Sequence, residues 1–240
     1  MPTIYAEAND GFAGHGLAPW AETRNGAGNT VDSNDQSDVE AVWHFYHSGR
    51  GTYGIRRAFF EFDTSDISAA PSEATLKIYG VLANTGDVIA VKSEHGNPLA
   101  AGDFNSLPSA ILTALGNTDG NGAGALDASA PYAYSAEIAT WNLLAYNDIA
   151  LNDNALADMA SLDTFKVCLM NYDNDFLDQD GTSVEQTGLF WTERATTNFD
   201  PKIDYEEPQL YGNDVSGVGK NDISTINGIA TANISKVNGV

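Results

Sequence analysis

"IRRAFFEFDTSDISAAPSEATLKIYG", residues 55–80, is the stretch on which the fold turns. Its first run, Ile55–Asp63, and its second, which continues from Glu73 to Leu82, are rich in aromatic and β-branched residues. Thr, Ser, Asp and Pro separate them. Runs of this length and composition, bounded by turn residues, read as β-strands. The same texture recurs outward in both directions, in TIYAEA (3–8), EAVWHFYH (40–47), DVIAVKSE (87–94), DTFKVCLMNY (163–172), GLFWTER (188–194) and PKIDYEE (201–207). Eight strands divided by turn signals, without regular strand–helix alternation, predict an all-β fold, a β-sandwich of the jelly-roll type. Two stretches, SLPSAILTALGN (106–117) and DNALADMASL (153–162), carry helical spacing with Pro or Asp near the start, so one or two short helices over the sheet edges are expected. GNTDGNGAGALDASA (116–130) has the composition of a flexible surface loop. After DYEEP the texture shifts to Gly, Asn, Ser and Ile, which sets a boundary near Gly212 between a sandwich (1–212) and a tail (213–240).

With 42% hydrophobic and 10% aromatic residues among 240, the chain has the means for a packed core. Its charge is lopsided: 33 acidic against 11 basic residues leave −22. Such a field repels phosphate backbones and argues against nucleic-acid binding. It invites cations, or else adapts the surface to a salty medium. Cys168, the one cysteine, rules out an intrachain disulfide and reads as a small apolar residue in a strand. No run of about 18 apolar residues marks a membrane span. The opening MPTIYAEAND has neither a basic start nor an apolar stretch, so no signal peptide is visible and synthesis in a cytoplasm is expected.

Several patterns resemble chemical motifs and fail on context. GRGTYG spaces Gly49, Gly51 and Gly54 as in a dinucleotide fingerprint, but the strand-like Ile55–Asp63 follows where a helix is required, and a hairpin loop is the better reading. His44 and His47, three apart on a strand, point to opposite faces and cannot share a zinc ion. His15 and His95 have no helpful spacing. G-x-S-x-G, H-E-x-x-H and P-loop patterns are missing from the sequence, so no enzyme is expected. The densest acidic stretch, NYDNDFLDQDGTSVEQ (171–186), holds Asp173, Asp175, Asp178 and Asp180 before Gly181. A turning loop of carboxylates can supply the six to eight oxygens that calcium takes. The alternative is a solvated acidic hairpin. An EF-hand register would put Phe176 and Thr187 at ligand positions, which excludes that motif. Of four tryptophans, Trp43 and Trp191 lie in apolar strands and are expected in the core, while Trp20 and Trp141 are the candidates to stack on a sugar.

The segment 56–80 resembles the jelly-roll domains called DNRLRE, relatives of carbohydrate-binding modules. Arg57, Phe60, Phe62 and Asp63 fit that family's Arg-led strand, and Ala74, Leu76 and Ile78 fit the next. GLFWTERATTNFDPKIDYEE (188–207) is similar to its closing strand pair, with Thr192 where Ser is usual and with Glu193, Arg194, Pro201, Ile203 and Tyr205 matching. The likeness runs over about residues 1–207, weakly in the middle. It implies a sandwich in an extracellular or surface setting with glycan contact, and it brings no catalytic residues.

The tail repeats itself: ISTINGI (223–229) returns as ISKVNGV (234–240). Asn-Gly between β-branched residues is the strongest short hairpin signal. Ile226 and Ile229 should pair beside the Asn227-Gly228 turn, with Thr225 opposite Ala230 and Ile223 opposite Ala232. The second unit offers Ile234, Val237, Asn238, Gly239 and Val240. Such units suit pairing with neighbouring copies or strand addition to a partner. The endings resemble those of virion structural proteins of tailed bacteriophages. The sequence therefore raises two expectations: a phage virion surface component contacting copies of itself, other virion proteins and a cell-surface glycan, or a carbohydrate-binding module of a bacterial surface or secreted protein.

Overall fold

A computed structural model describes residues 1–33, 35–84, 86–115, 124–192 and 197–208, with the backbone of two short strands at 225–226 and 229–230. Strand β5 (Thr52–Asp63) sets the layering. Its Ala58, Phe60 and Phe62 point to one side and its Ile55 and Phe59 to the other. One layer runs β1 (Thr3–Tyr5), β11 (Lys202–Glu206), β6 (Glu73–Asn84), β8 (Tyr146–Ala150). The second runs β3 (Thr30–Asp32), β2 (Gly11–Ala18), β5, with β4 (Ser37–His47) beside the start of β5 and β9 (Thr164–Asn171) beside its end. β7 (Val88–Lys92) extends β9, and β10 (Glu185–Phe190) joins β4 to the end of β6. Every one of these pairings is antiparallel.

β6 therefore belongs to both layers. Residues 73–79 pair with β11 and β8, and Gly80 to Ala83 pair with β10. Glycine is needed at the crossing, because a Cβ on Gly80 would lie 2.9 Å from Trp141 Nε1. At the far edge a bridge between Ala6 and Phe62 ties the layers together again.

Two cores follow. Between the layers pack Phe60, Phe62, Leu76, Ile78, Leu169, Leu189, Trp191 and Ile203. On the other face of the second layer, Ile55, Phe59, Ile89, Val91, Cys168 and Met170 are covered by Phe104, Leu107, Ile111 and Phe176. The covering comes from a 3-10 turn (Ala101–Asn105), α2 (Ser109–Ala114) and a π turn (Tyr172–Phe176). Burial on both faces is why β9 runs apolar from Val167 to Met170 instead of alternating. α3 (Asp153–Ser161), capped by the Asn152 side chain accepting from Asn154 N and Ala155 N, seals the first core with Leu156 and Met159.

The expected all-β sandwich with short helices is what the chain forms, and both expected helices are present. GRGTYG is the β4–β5 hairpin, with Gly51 at φ +63°. Three further strands and a helix were not anticipated: β2, β3, β8 and α1 (Trp20–Asn25). The 116–123 part of the expected loop, and the boundary at Gly212, lie outside the described residues.

Candidate functional site

Arg57 sits on β5 with its side chain on the covered face and no exposure. A buried guanidinium needs acceptors for its donors, and it finds them in three segments distant in sequence. Its Nε donates to Asp175 Oδ2 (2.6 Å) and Nη2 to Asp175 Oδ1 (2.8 Å), a bidentate fork. Nη1 donates to Phe104 O (2.7 Å) and Asn105 Oδ1 (3.0 Å), and Nη2 also to Arg24 O (3.0 Å). The π turn aims Asp175 inward, held by Asn171, whose side-chain oxygen accepts from Asn174 N (2.8 Å). Arg24, from α1, donates Nε to Asp175 O (2.7 Å), and its Nη1 lies 3.2 Å from Asp178 Oδ1. Asp178, at φ +58°, accepts from Trp20 Nε1 at 2.9 Å. Two arginines and two aspartates thus brace α1, β5 and the π turn as one unit.

The four aspartates of the 171–186 stretch, the calcium candidates, are placed apart from one another. The loop does not gather Asp173, Asp175, Asp178 and Asp180. Asp175 is fully buried against Arg57 and Arg24, Asp178 faces Arg24 and Trp20, and Asp180 is exposed. Among the described residues no group of three or more His, Cys, Asp or Glu side chains could hold a metal ion. The counter-charges come from residues 24 and 57, which local acidic density does not reveal.

The tryptophans also redistribute. Trp191 is core, as expected, its ring 5.5 Å from Phe60. Trp141 is only 7% exposed and donates Nε1 to Gly188 O (3.1 Å), so it offers no face to a sugar. Trp20 is half-buried, edge-on to His44 (5.6 Å) and Tyr53 (5.2 Å), and pinned by Asp178. Trp43, expected in the core, is half-buried. His44 is fully buried, and among the described residues no side chain hydrogen-bonds either ring nitrogen. Desolvation, partly offset by Glu185, lowers its pKa.

Trp43 belongs to a shelf. The face of β5 that carries Ala58, Phe60 and Phe62 under the first layer continues to Arg56 and Gly54, where β5 emerges from the core. Arg56 pairs across with Trp43 on one side and Gly14 on the other, and Gly54 pairs with Phe45 and Gly16. The Trp43 and Phe45 rings are parallel within 13° at 5.2 Å. The Arg56 guanidinium lies 4.2 Å above the Phe12 ring and 5.2 Å from that of Trp43. Glu40 (3.2 Å) and Asp38 (3.7 Å) hold it, and Gln186 Nε2 donates to Glu40 Oε1 (2.8 Å). A Cβ on Gly54 would come within 2.7 Å of Trp43 Cζ3, so the indole rests on bare backbone. The signal for this shelf was the period-two series Trp43, Phe45, His47, read instead as a core strand.

A second cluster has catalytic-looking parts. Ser93 Oγ is 2.9 Å from His95 Nδ1, and His95 Nε2 is 4.0 Å from Glu61. Ser93 and His95 are 5% and 1% exposed, and the hydroxyl already donates to Ser106 O (3.2 Å), so no substrate reaches them. Asn9 and Asn97 donate to Glu61 and Lys166 lies 3.4 Å from it, which makes the group a buried polar brace.

In the tail, β12 (Thr225–Ile226) and β13 (Ile229–Ala230) form a separate antiparallel sheet, with Ile226 opposite Ile229 and Thr225 opposite Ala230, the register expected from Asn-Gly spacing. Ile223, Asn227, Gly228, Ile234, Val237, Asn238, Gly239 and Val240, and the family-like Glu193 and Arg194, lie outside the described residues. Thr192 donates Oγ1 to Asp10 Oδ1 (2.8 Å). Among the described residues no helix is long and apolar enough to cross a membrane. In comparisons with known proteins, no family model and no curated protein matches the chain.

Proposed function

We propose that this chain is a non-enzymatic surface component of a bacteriophage virion, a head-decoration, fibre or tail-associated protein. Its sandwich faces outward, and residues 213–240 join it to copies of itself or to other virion proteins. The observation that carries this reading is the tail hairpin: β12 and β13 pair only with each other in the described structure. A lone two-stranded ribbon is marginal in water and gains stability by adding strands. The repeat at 234–240 offers a second unit of the same kind. Light scattering of the full chain and of a chain ending at Gly212 tests this. A defined oligomer for the first and a folded monomer for the second is the expected result; equal monomer masses for both would remove self-association through the tail.

The second reading is a saccharide-binding module of a bacterial surface or secreted protein. The half-buried aromatic shelf on β4 and β5 favours it.

A further inference from the structure

We propose that the shelf built from Trp43, Phe45, Gly54, Arg56 and Gly16 is a binding site for a neutral saccharide. The proposal deepens the second reading by naming the site and the ligand class, and it is independent of the tail. Three features carry it.

The first is bare backbone. Glycine inside a strand weakens it and marks a bulge or a place of close approach. Gly14 and Gly54 are accounted for, since a Cβ would crowd Thr30 Oγ1 at 2.8 Å and Trp43 Cζ3 at 2.7 Å. Gly16 is not: among the described residues a Cβ there meets nothing within 4 Å. The positive φ at the neighbouring register shift falls on Leu17 (+61°) and not on Gly16. A missing side chain beside open space is what a ligand lying across the strand requires.

The second is the pairing of flat apolar and polar groups. A pyranose ring has C–H groups on its faces and hydroxyls around its rim. The apolar surface left on the Trp43–Phe45 pair, which stack on each other, suits those C–H groups. The Arg56 guanidinium with the Glu40 and Asp38 carboxylates suits adjacent hydroxyls, which donate to one and accept from the other.

The third is charge. Arg56 is offset by Glu40 and Asp38, so it is not a spare cation for an acidic glycan, and the −22 field of the chain repels one. A cationic ligand would meet the guanidinium.

The test is affinity electrophoresis of the full chain in gels containing dextran, galactomannan or mixed-linkage β-glucan, with alginate as the acidic counterpart. Retardation in at least one neutral gel and none in alginate is expected. Trp43→Ala should weaken it by about tenfold or more. Gly16→Leu fills the open space, so it should abolish retardation while leaving the melting temperature unchanged. That variant keeps the test decisive if Trp43→Ala fails to fold. No retardation in any neutral gel, retardation in alginate alone, or retardation undiminished by Gly16→Leu would each overturn the proposal. If Gly16→Leu instead lowers the mass of an oligomer by light scattering, the shelf is a contact between copies and the saccharide assignment falls. Truncation at Gly212 reads only the tail, so either proposal can fail without the other.

Discussion

Asp175 stands between two guanidiniums with no exposure, and replacing its charge isolates what the pairing contributes. Asp175→Asn leaves Arg24 and Arg57 short of a buried counter-ion and should cost about 3–5 kcal/mol in urea denaturation. Asp178→Asn, at the partly exposed rim, should cost under about 1 kcal/mol. His95 gives a pH dependence. Burial, then the nearby Lys166 charge, lowers its pKa to about 4. The folded state therefore binds fewer protons than the unfolded chain between about pH 4 and the ordinary histidine value near 6.5. The stability it contributes is complete above about 6.5 and is lost as pH falls toward 4, on the order of 3 kcal/mol in all. Denaturation midpoints across that range should fall with acid, and His95→Gln should flatten the slope in that window. Residue identity alone did not tell which tryptophan is covered. Trp43 and Trp141 exchanged roles because burial depends on how far the first layer reaches along β5 and β6, a non-local fact.

Among the elements, legibility followed composition. β5, β6 and β9 are dense in Phe, Ile, Leu and Val and were read within a few residues. β2 is GFAGHGLA, whose glycines and alanines carry no period-two signal, although its first five residues are buried. β8 holds Asn and Asp, which are uncommon in strands. α1 spans six residues, too short for a helical period, and is fixed by the Arg24 contacts and not by propensity. The turn before β8 offers a test at this scale. Leu144 is 67% exposed and holds φ +56°, while its N–H donates to Gly80 O (2.9 Å). Leu144→Gly keeps that hydrogen bond and relieves the left-handed strain, so it should stabilise by about 0.5–1 kcal/mol in thermal unfolding. A lower melting temperature would mean that the leucine side chain makes a stabilising contact.

Over the whole molecule, −22 charges repel one another in the folded state. Raising sodium chloride from about 10 mM to about 500 mM should raise the melting temperature by screening. Calcium at matched ionic strength should add nothing further, since Asp175 and Asp178 are already engaged by arginine. A calcium-specific rise would mean that carboxylates outside this knot gather around the ion. The antiparallel pairing of Thr3 with Asp204 has another consequence, for translation. These partners are 201 positions apart, and a ribosome adding about 5–20 residues per second needs about 10–40 s to make the second after the first. For that time β1 has no β11 to pair with, and the edge of β6 that will take β11 stays open. A nascent chain halted before Lys202 would present both to chaperones and to its neighbours on the same messenger.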